Sequence, residues 1–449
     1  MYGHLSLQQA PPLSVPARFF LTAPVFGALA ALILMQQGHT VLLSRWTPGM
    51  LALTHCLVLG FFASIMIGAL QQLLPVVAGA IIKRPRLTAA IVYTQWIPGI
   101  LFLVLALLYV KPALFLAAIV LLSGAVISFI VSVIISFIPV KSAGESVPGI
   151  KLALSSLLIT LILGILLALG WAGAGPLQRP LVTDLHLSWG LLGWIAMLIM
   201  VIAWQVVPMF QIAPPYPKPL RRFTVPVALV LLLLKSLLAW QPGLPAAASI
   251  STGVDTAIAL GLLIFAGVTL NLQRQARRKV RDSHRDFWRL AMINLILAVA
   301  LWSIATATGR PLFHLLAATV FIMGFALAVV TGMLLKIVAF LIWLHLTAAS
   351  DGLRTEGHRG YSVPRMKTII SEWSSERLLY LLILAETATI AALGFPAYFS
   401  IAAALLWLVQ FCYLEVVLGK ALLRYRSIMQ SIAREQRARQ KARIKHNDR

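Results

Sequence analysis

Residues 51–75 read LALTHCLVLGFFASIMIGALQQLLP, twenty-five positions without one Asp, Glu, Lys or Arg. As a helix rising 1.5 Å per residue this stretch is about 37 Å long, enough to cross a hydrocarbon core of about 30 Å. Its apolar residues run on without the two-residue alternation of a barrel strand. A helix also satisfies its own backbone hydrogen bonds where no water can. Comparable runs fill the rest of the chain, and spans are expected near 17–37, 47–80, 88–110, 112–140, 150–171, 181–212, 222–241, 248–270, 286–308, 311–346, 376–396 and 397–425. The composition agrees: 60% of the 449 residues are hydrophobic and 11% charged. A soluble domain carries about 25% charged residues, and a soluble chain of this make-up would expose large apolar patches. The expected fold class is therefore all-α integral membrane, with twelve transmembrane helices.

A net charge of +24 would suggest a nucleic-acid partner in a soluble protein, but here the basic residues alternate by connection. One set of connections holds Lys83, Arg84 and Arg86, then Lys141 and Lys151, then Lys218, Arg221 and Arg222. It continues with Arg274, Arg277, Arg278, Lys279, Arg281 and Arg285, and with Arg354, Arg359, Arg365 and Lys367. The intervening set holds Arg45, Lys111, Arg179 and Arg310. Lys and Arg excess marks the cytoplasmic side. The pattern thus places both termini in the cytoplasm, in a bacterial inner membrane, with no nucleic-acid partner. The first apolar run is long and lacks a clear cleavage site, so it is expected to remain as a span. The tail from Lys420 to Arg449 is strongly basic. Residues 426–449 are read as a solvated cytoplasmic helix near anionic headgroups, with a specific partner as the lesser alternative. Cys56 and Cys412 fall at opposite membrane faces and are not expected to pair.

The long spans two, six and ten share a pattern. Each has a histidine near its outer end (His55, His186, His314), then a Gly-aromatic pair: Gly60-Phe61, Gly193-Trp194, Gly324-Phe325. Twelve residues after each glycine stand Gln72, Gln205 and Lys336; fifteen after it stand Pro75, Pro208 and Ala339. The glycines recur about every 130 residues, the length of four helices. The expectation is one transmembrane domain, 1–425, of three four-helix units (17–140, 150–270, 286–425) in a pseudo-threefold arrangement. A transporter built of two six-helix halves would differ, and the short Pro214-Pro215-Tyr216-Pro217 connection between helices six and seven does not favour one.

His55, His186 and His314 lie at one outer-leaflet depth, and a polar ring in an apolar helix needs a partner. Each imidazole could bond a neighbouring carbonyl or interfacial water. Alternatively the histidines ligate a metal or haem iron, for which neutral imidazole is suited. Lys235 and Asp255 flank the turn between helices seven and eight at matching depth and are expected to neutralise each other. Glu386 lies mid-membrane, and Lys336 and Glu415 lie in the inner half. These three form either a proton path from the cytoplasm or, for Lys336 and Glu415, a structural pair.

Twelve helices with histidines on two, six and ten resemble the haem-copper oxidase subunit I superfamily. The local likeness is His55 ahead of Ile65-Met66-Ile67-Gly68 and Pro75, and Leu312-Phe313-His314 where that family has His-Phe-His. The resemblance implies His55 and His314 as the axial ligands of one low-spin haem. It also implies departures: Leu312 replaces the high-spin haem ligand, and helix seven lacks a histidine pair for copper. His186 stands at a copper-ligand position, with Gly190 where a tyrosine would follow. A single histidine cannot hold a catalytic copper, so oxygen reduction is not expected and whether the chain is an enzyme stays open. Pro16-Ala17-Arg18-Phe19-Phe20 and the His55-x4-Gly60-Phe61 pattern also resemble the NnrS family of membrane haem proteins linked to denitrification and nitric oxide stress. The implied function is a protein binding haem b, for electron transfer with a redox partner or for nitrogen-oxide tolerance. The alternatives are a transporter or assembly factor for haem, copper or another small solute, and a structural subunit without cofactor.

Overall fold

The structure is a computed structural model describing residues 11–140, 144–173, 179–241, 247–277, 282–354 and 362–447. Among these residues all regular structure is helical, without strands. Twelve helices are long and apolar enough to cross a membrane. They are α1 (Ser14–Leu43), α2 (Pro48–Pro75), α3 (Pro85–Tyr109), α4 (Pro112–Phe137), α5 (Val147–Trp171) and α6 (Pro180–Gln211). There follow α7 (Lys218–Ala239), α8 (Ser249–Arg274), α9 (Ser283–Thr308), α10 (Pro311–Asp351), α11 (Glu372–Gly394) and α12 (Pro396–Ala438). The starts have local causes. Pro48, Pro85, Pro112 and Pro311 occupy first-turn positions, where a missing N–H costs nothing. Thr47 caps α2 by accepting from Met50 N, and Ser371 caps α11 by accepting from Ser374 N.

Consecutive helices pack side by side, and α12 returns to pack along α1, so the sequence of contacts closes on itself. The three most buried spans are α2, α6 and α10, and α7 is the least buried. The connections fall into a densely basic set and a sparse set, which define a basic face and a low-charge face of the bundle. His4, His358, Lys141, Arg278, Lys279, Arg281 and Arg359 lie outside the described residues. The basic tail is not a separate element. The helix that begins with α12 continues past Ala438 without a break to Asn447, because no glycine or proline interrupts the sequence after Gly419. Cys56 is buried, Cys412 exposed, and both are free thiols.

In α2, α6 and α10 the helix widens into a π-helical turn: Cys56–Ala63, Ser188–Ala196 and Val320–Ala326. Such turns are rare and concentrate where a helix has a job beyond packing. Each contains the Gly-aromatic pair read from the sequence. Each glycine also admits a neighbouring side chain to the helix backbone: a methyl group would overlap Phe26 at Gly60, Ser156 at Gly193, and Glu386 and Asn294 at Gly324. Indole N–H groups tie further helices together. Trp96 donates to Ser64 (2.9 Å), Trp189 to Ser236 (2.9 Å) and Trp407 to Thr389 (2.8 Å). Interhelical bonds of this kind contribute about 0.6 kcal/mol each in a bilayer.

Candidate functional site

A cavity of about 590 Å³ lies among α2, α3, α4, α5 and α6. At the low-charge face its walls include Trp46, Thr183 and Trp171. Its floor, midway along the helices, includes Trp96, Val126, Trp194 and Ile322. From Thr183 to Ile195 along α6 the cavity extends about 18 Å. Leucine, isoleucine, valine and alanine make most of the wall, and the polar lining is confined to a few threonines, tryptophans and two histidines.

Those histidines are His55 and His186. Their ring centroids are 6.2 Å apart, with planes inclined by 30°. His55 Nδ1 bonds the carbonyl of Leu51 at 2.7 Å, one turn back on α2. His186 Nδ1 bonds the carbonyl of Thr160 at 3.0 Å, across on α5. A carbonyl can only accept, so both Nδ1 atoms carry the proton and both Nε2 atoms keep a lone pair. Neither Nε2 makes a hydrogen bond among the described residues. Gly164 faces the His186 ring so closely that a methyl group there would lie 3.1 Å from Cε1. The glycine thus leaves room for the ring, and the carbonyl one turn before it, at Thr160, orients that ring.

His314, expected to face His55, does not join this pair. It is exposed, three residues into α10, and is not among the residues lining the cavity. The reason is helical phase. His55, His186 and His314 precede their shared glycines by five, seven and ten residues, so similar depth does not give them equivalent directions. Those offsets were readable in the sequence; which neighbour each ring would meet was not.

The charged groups are sorted similarly. Lys235 Nζ lies 2.5 Å from Asp255 Oδ1, both side chains 23% exposed. Lys336 meets Asp282 (3.3 Å, side chains 11% and 7% exposed) instead of Glu415. Asp282 is the residue that caps α9, accepting from His284 N, and α9 packs along α10. The capping aspartate was the sequence signal for this contact, overlooked because it sits in a connection. Glu386 is 5% exposed and accepts from Asn294 Nδ2 at 3.1 Å. Glu415 Oε2 is buried without a hydrogen-bond partner among the described residues. No hydrogen bond joins Lys336, Glu386 and Glu415 to one another among the described residues. No cluster of three or more His, Cys, Asp or Glu suited to a metal ion occurs among the described residues.

No family model matches the chain, and no curated protein matches it at a significant level.

Proposed function

We propose that this chain is a multi-pass protein of the bacterial inner membrane, both termini cytoplasmic, that binds haem b between His55 and His186. The observation carrying this reading is the pair of imidazoles on an apolar cavity, each held through Nδ1 by a backbone carbonyl and 6.2 Å apart. The residues present fit the group on three counts. Metal-ligating histidines characteristically donate their other N–H to a carbonyl or carboxylate. Two imidazoles on opposite sides of one ion, with metal–nitrogen distances of about 2 Å, have ring centres about 6 Å apart. A cavity of about 590 Å³ lies within the range of about 300–1,000 Å³ used for cofactors and similar ligands. His55 and His186 would hold the group, which would supply one-electron transfer.

The chain's own residues would do the rest. Leu51 and Thr160 fix the imidazole tautomer, and Gly164 leaves the space for one ring. The surrounding Leu103, Leu122, Leu161 and Leu187 exclude water from the iron's surroundings. The role that fits is electron transfer with a redox partner, in the nitrogen-oxide setting that the NnrS resemblance implies. The basic face is the cytoplasmic one under the charge rule, and the basic end of α12 meets anionic headgroups there. The repeated π turns and the burial of α2, α6 and α10 support three four-helix units.

The test is the visible spectrum of the purified protein, oxidised and reduced. A bis-histidine haem signature is expected in the parent and in His314→Ala, and is expected to be lost in His55→Ala and in His186→Ala. A haem signal that survives both of the latter substitutions overturns the assignment. The transporter or assembly-factor reading is kept for one observation, the position of the cavity at the low-charge face. Haem that washes out during purification and re-enters on addition would favour it.

A further inference from the structure

The mouth of the cavity carries an ion pair that the electron-transfer reading leaves unused. Arg45, in the connection from α1 to α2, reaches Asp184 on α6, with Nη1 and Oδ1 2.9 Å apart. Its guanidinium lies 4.6 Å over the ring of Trp46, which itself lines the cavity. Asp184 follows the wall residue Thr183 and precedes His186 by two positions. The pair therefore ties the α1–α2 connection to α6 beside the wall residues Trp46 and Thr183, at the end of the cavity nearer the low-charge face. Its side chains are 42% and 55% exposed. Exposed pairs of this kind are worth about 0–1 kcal/mol, so a competing anion could displace the aspartate at little cost.

The location is also unusual for a basic residue. Lys and Arg avoid the non-cytoplasmic connections, and this face has only Arg45, Lys111, Arg179 and Arg310. Three of the four stand on turns that lead into cavity-forming helices, before α2, before α4 and at the start of α6. Below them the wall holds no Asp, Glu, Lys or Arg. An apolar chamber with the Arg45 guanidinium beside its mouth is complementary to an amphiphile with an apolar body and an acidic end.

Resting on the haem reading, we infer that the ligand enters from the low-charge face and leaves its carboxylates at the mouth. There Arg45 exchanges Asp184 for a ligand carboxylate. Arginine suits this exchange because its planar fork bonds a carboxylate through two N–H groups while it stacks on an indole. Asp184 then acts as the competitor that keeps Arg45 in place and sets how strongly the acid end is held.

The experiment titrates the full-length protein in detergent with haemin and with its dimethyl ester, which lacks the two carboxylates, following the iron-imidazole absorbance. The parent is expected to prefer the free acid by about tenfold. Arg45→Gln should remove that preference while still binding the ester, and Asp184→Asn should enlarge it. Equal affinity of the parent for both compounds, or a preference that survives Arg45→Gln, overturns the inference and leaves the histidine site standing. If neither compound produces a spectrum that depends on His55 and His186, the haem reading fails, and this inference with it.

Discussion

In α6 the π-helical turn around Gly193 has Gly190, Leu191, Trp194 and Ile195 on the wall of a cavity. The corresponding turn of α10, around Gly324, is packed against Glu386 of α11 and Asn294 of α9, and only its Ile322 reaches that cavity. The two turns share a local sequence pattern and a local backbone, yet one borders open space and the other is filled by a buried polar pair. A π turn, then, does not itself make a site. It widens the helix and lets a neighbour come close, and the neighbour decides whether the result is a chamber or a joint. On the α6 side the neighbours are small or aliphatic, among them Gly164, Leu157 and Leu161 of α5. On the α10 side they are a carboxyl and an amide joined by one hydrogen bond, from Asn294 Nδ2 to Glu386 Oε2.

This contrast can be broken by substitution. The largest effect is expected in the filled region, where Lys336 and Asp282 join α10 to the start of α9. Removing the cation from so buried a pair, by Lys336→Met, should lower stability by about 3 kcal/mol, with part recovered in Lys336→Met combined with Asp282→Leu. Thermal unfolding in detergent reads both, and a single variant as stable as the parent would deny the pair any role in holding that joint.

Two glycines, one from each turn, come next. Gly324→Ala forces a methyl group into Glu386 and Asn294 and should cost about 1–3 kcal/mol. Gly190→Ala, whose methyl group would face Thr160 at 3.2 Å beside the cavity, should change stability by less than about 0.5 kcal/mol. Similar losses at the two positions would mean that the chamber wall is as rigid as the joint.

The smallest effect concerns the indoles. Trp407→Phe and Trp96→Phe each delete one interhelical hydrogen bond, to Thr389 and Ser64, and each should cost about 0.6 kcal/mol from that bond. Because Trp96 also lines the cavity, a clearly smaller loss there would indicate that water replaces the lost donor.

Much of the architecture was legible because the membrane imposes it. The twelve apolar runs became twelve helices, with boundaries within about six residues of those expected except at the end of α12, since backbone in lipid has one inexpensive solution. Lys235 and Asp255 meet across one turn because chain distance and depth leave them few other partners. The tail, expected to be helical, continues the last span without a break, because nothing in its sequence stops a helix. His55 and His186 face each other across the cavity, whereas His314, expected opposite His55, is exposed and does not line it. Matching the three by depth ignored the direction each points around its helix axis. Lys336 was likewise matched to acids within the apolar spans, whereas Asp282, the cap of α9, came closer.

The sequence alone determined the helical class, the number of spans, the segregation of basic residues by connection, and the repeating glycine at the centre of α2, α6 and α10. These follow from one-dimensional quantities: hydropathy, charge and spacing. Only the tertiary structure decided that His55 looks at His186, that a chamber opens between them, and that Glu386 fills the corresponding place beside α10. Those outcomes depend on rotation about each helix axis and on the volume of side chains brought from other helices, which spacing along a single chain does not encode.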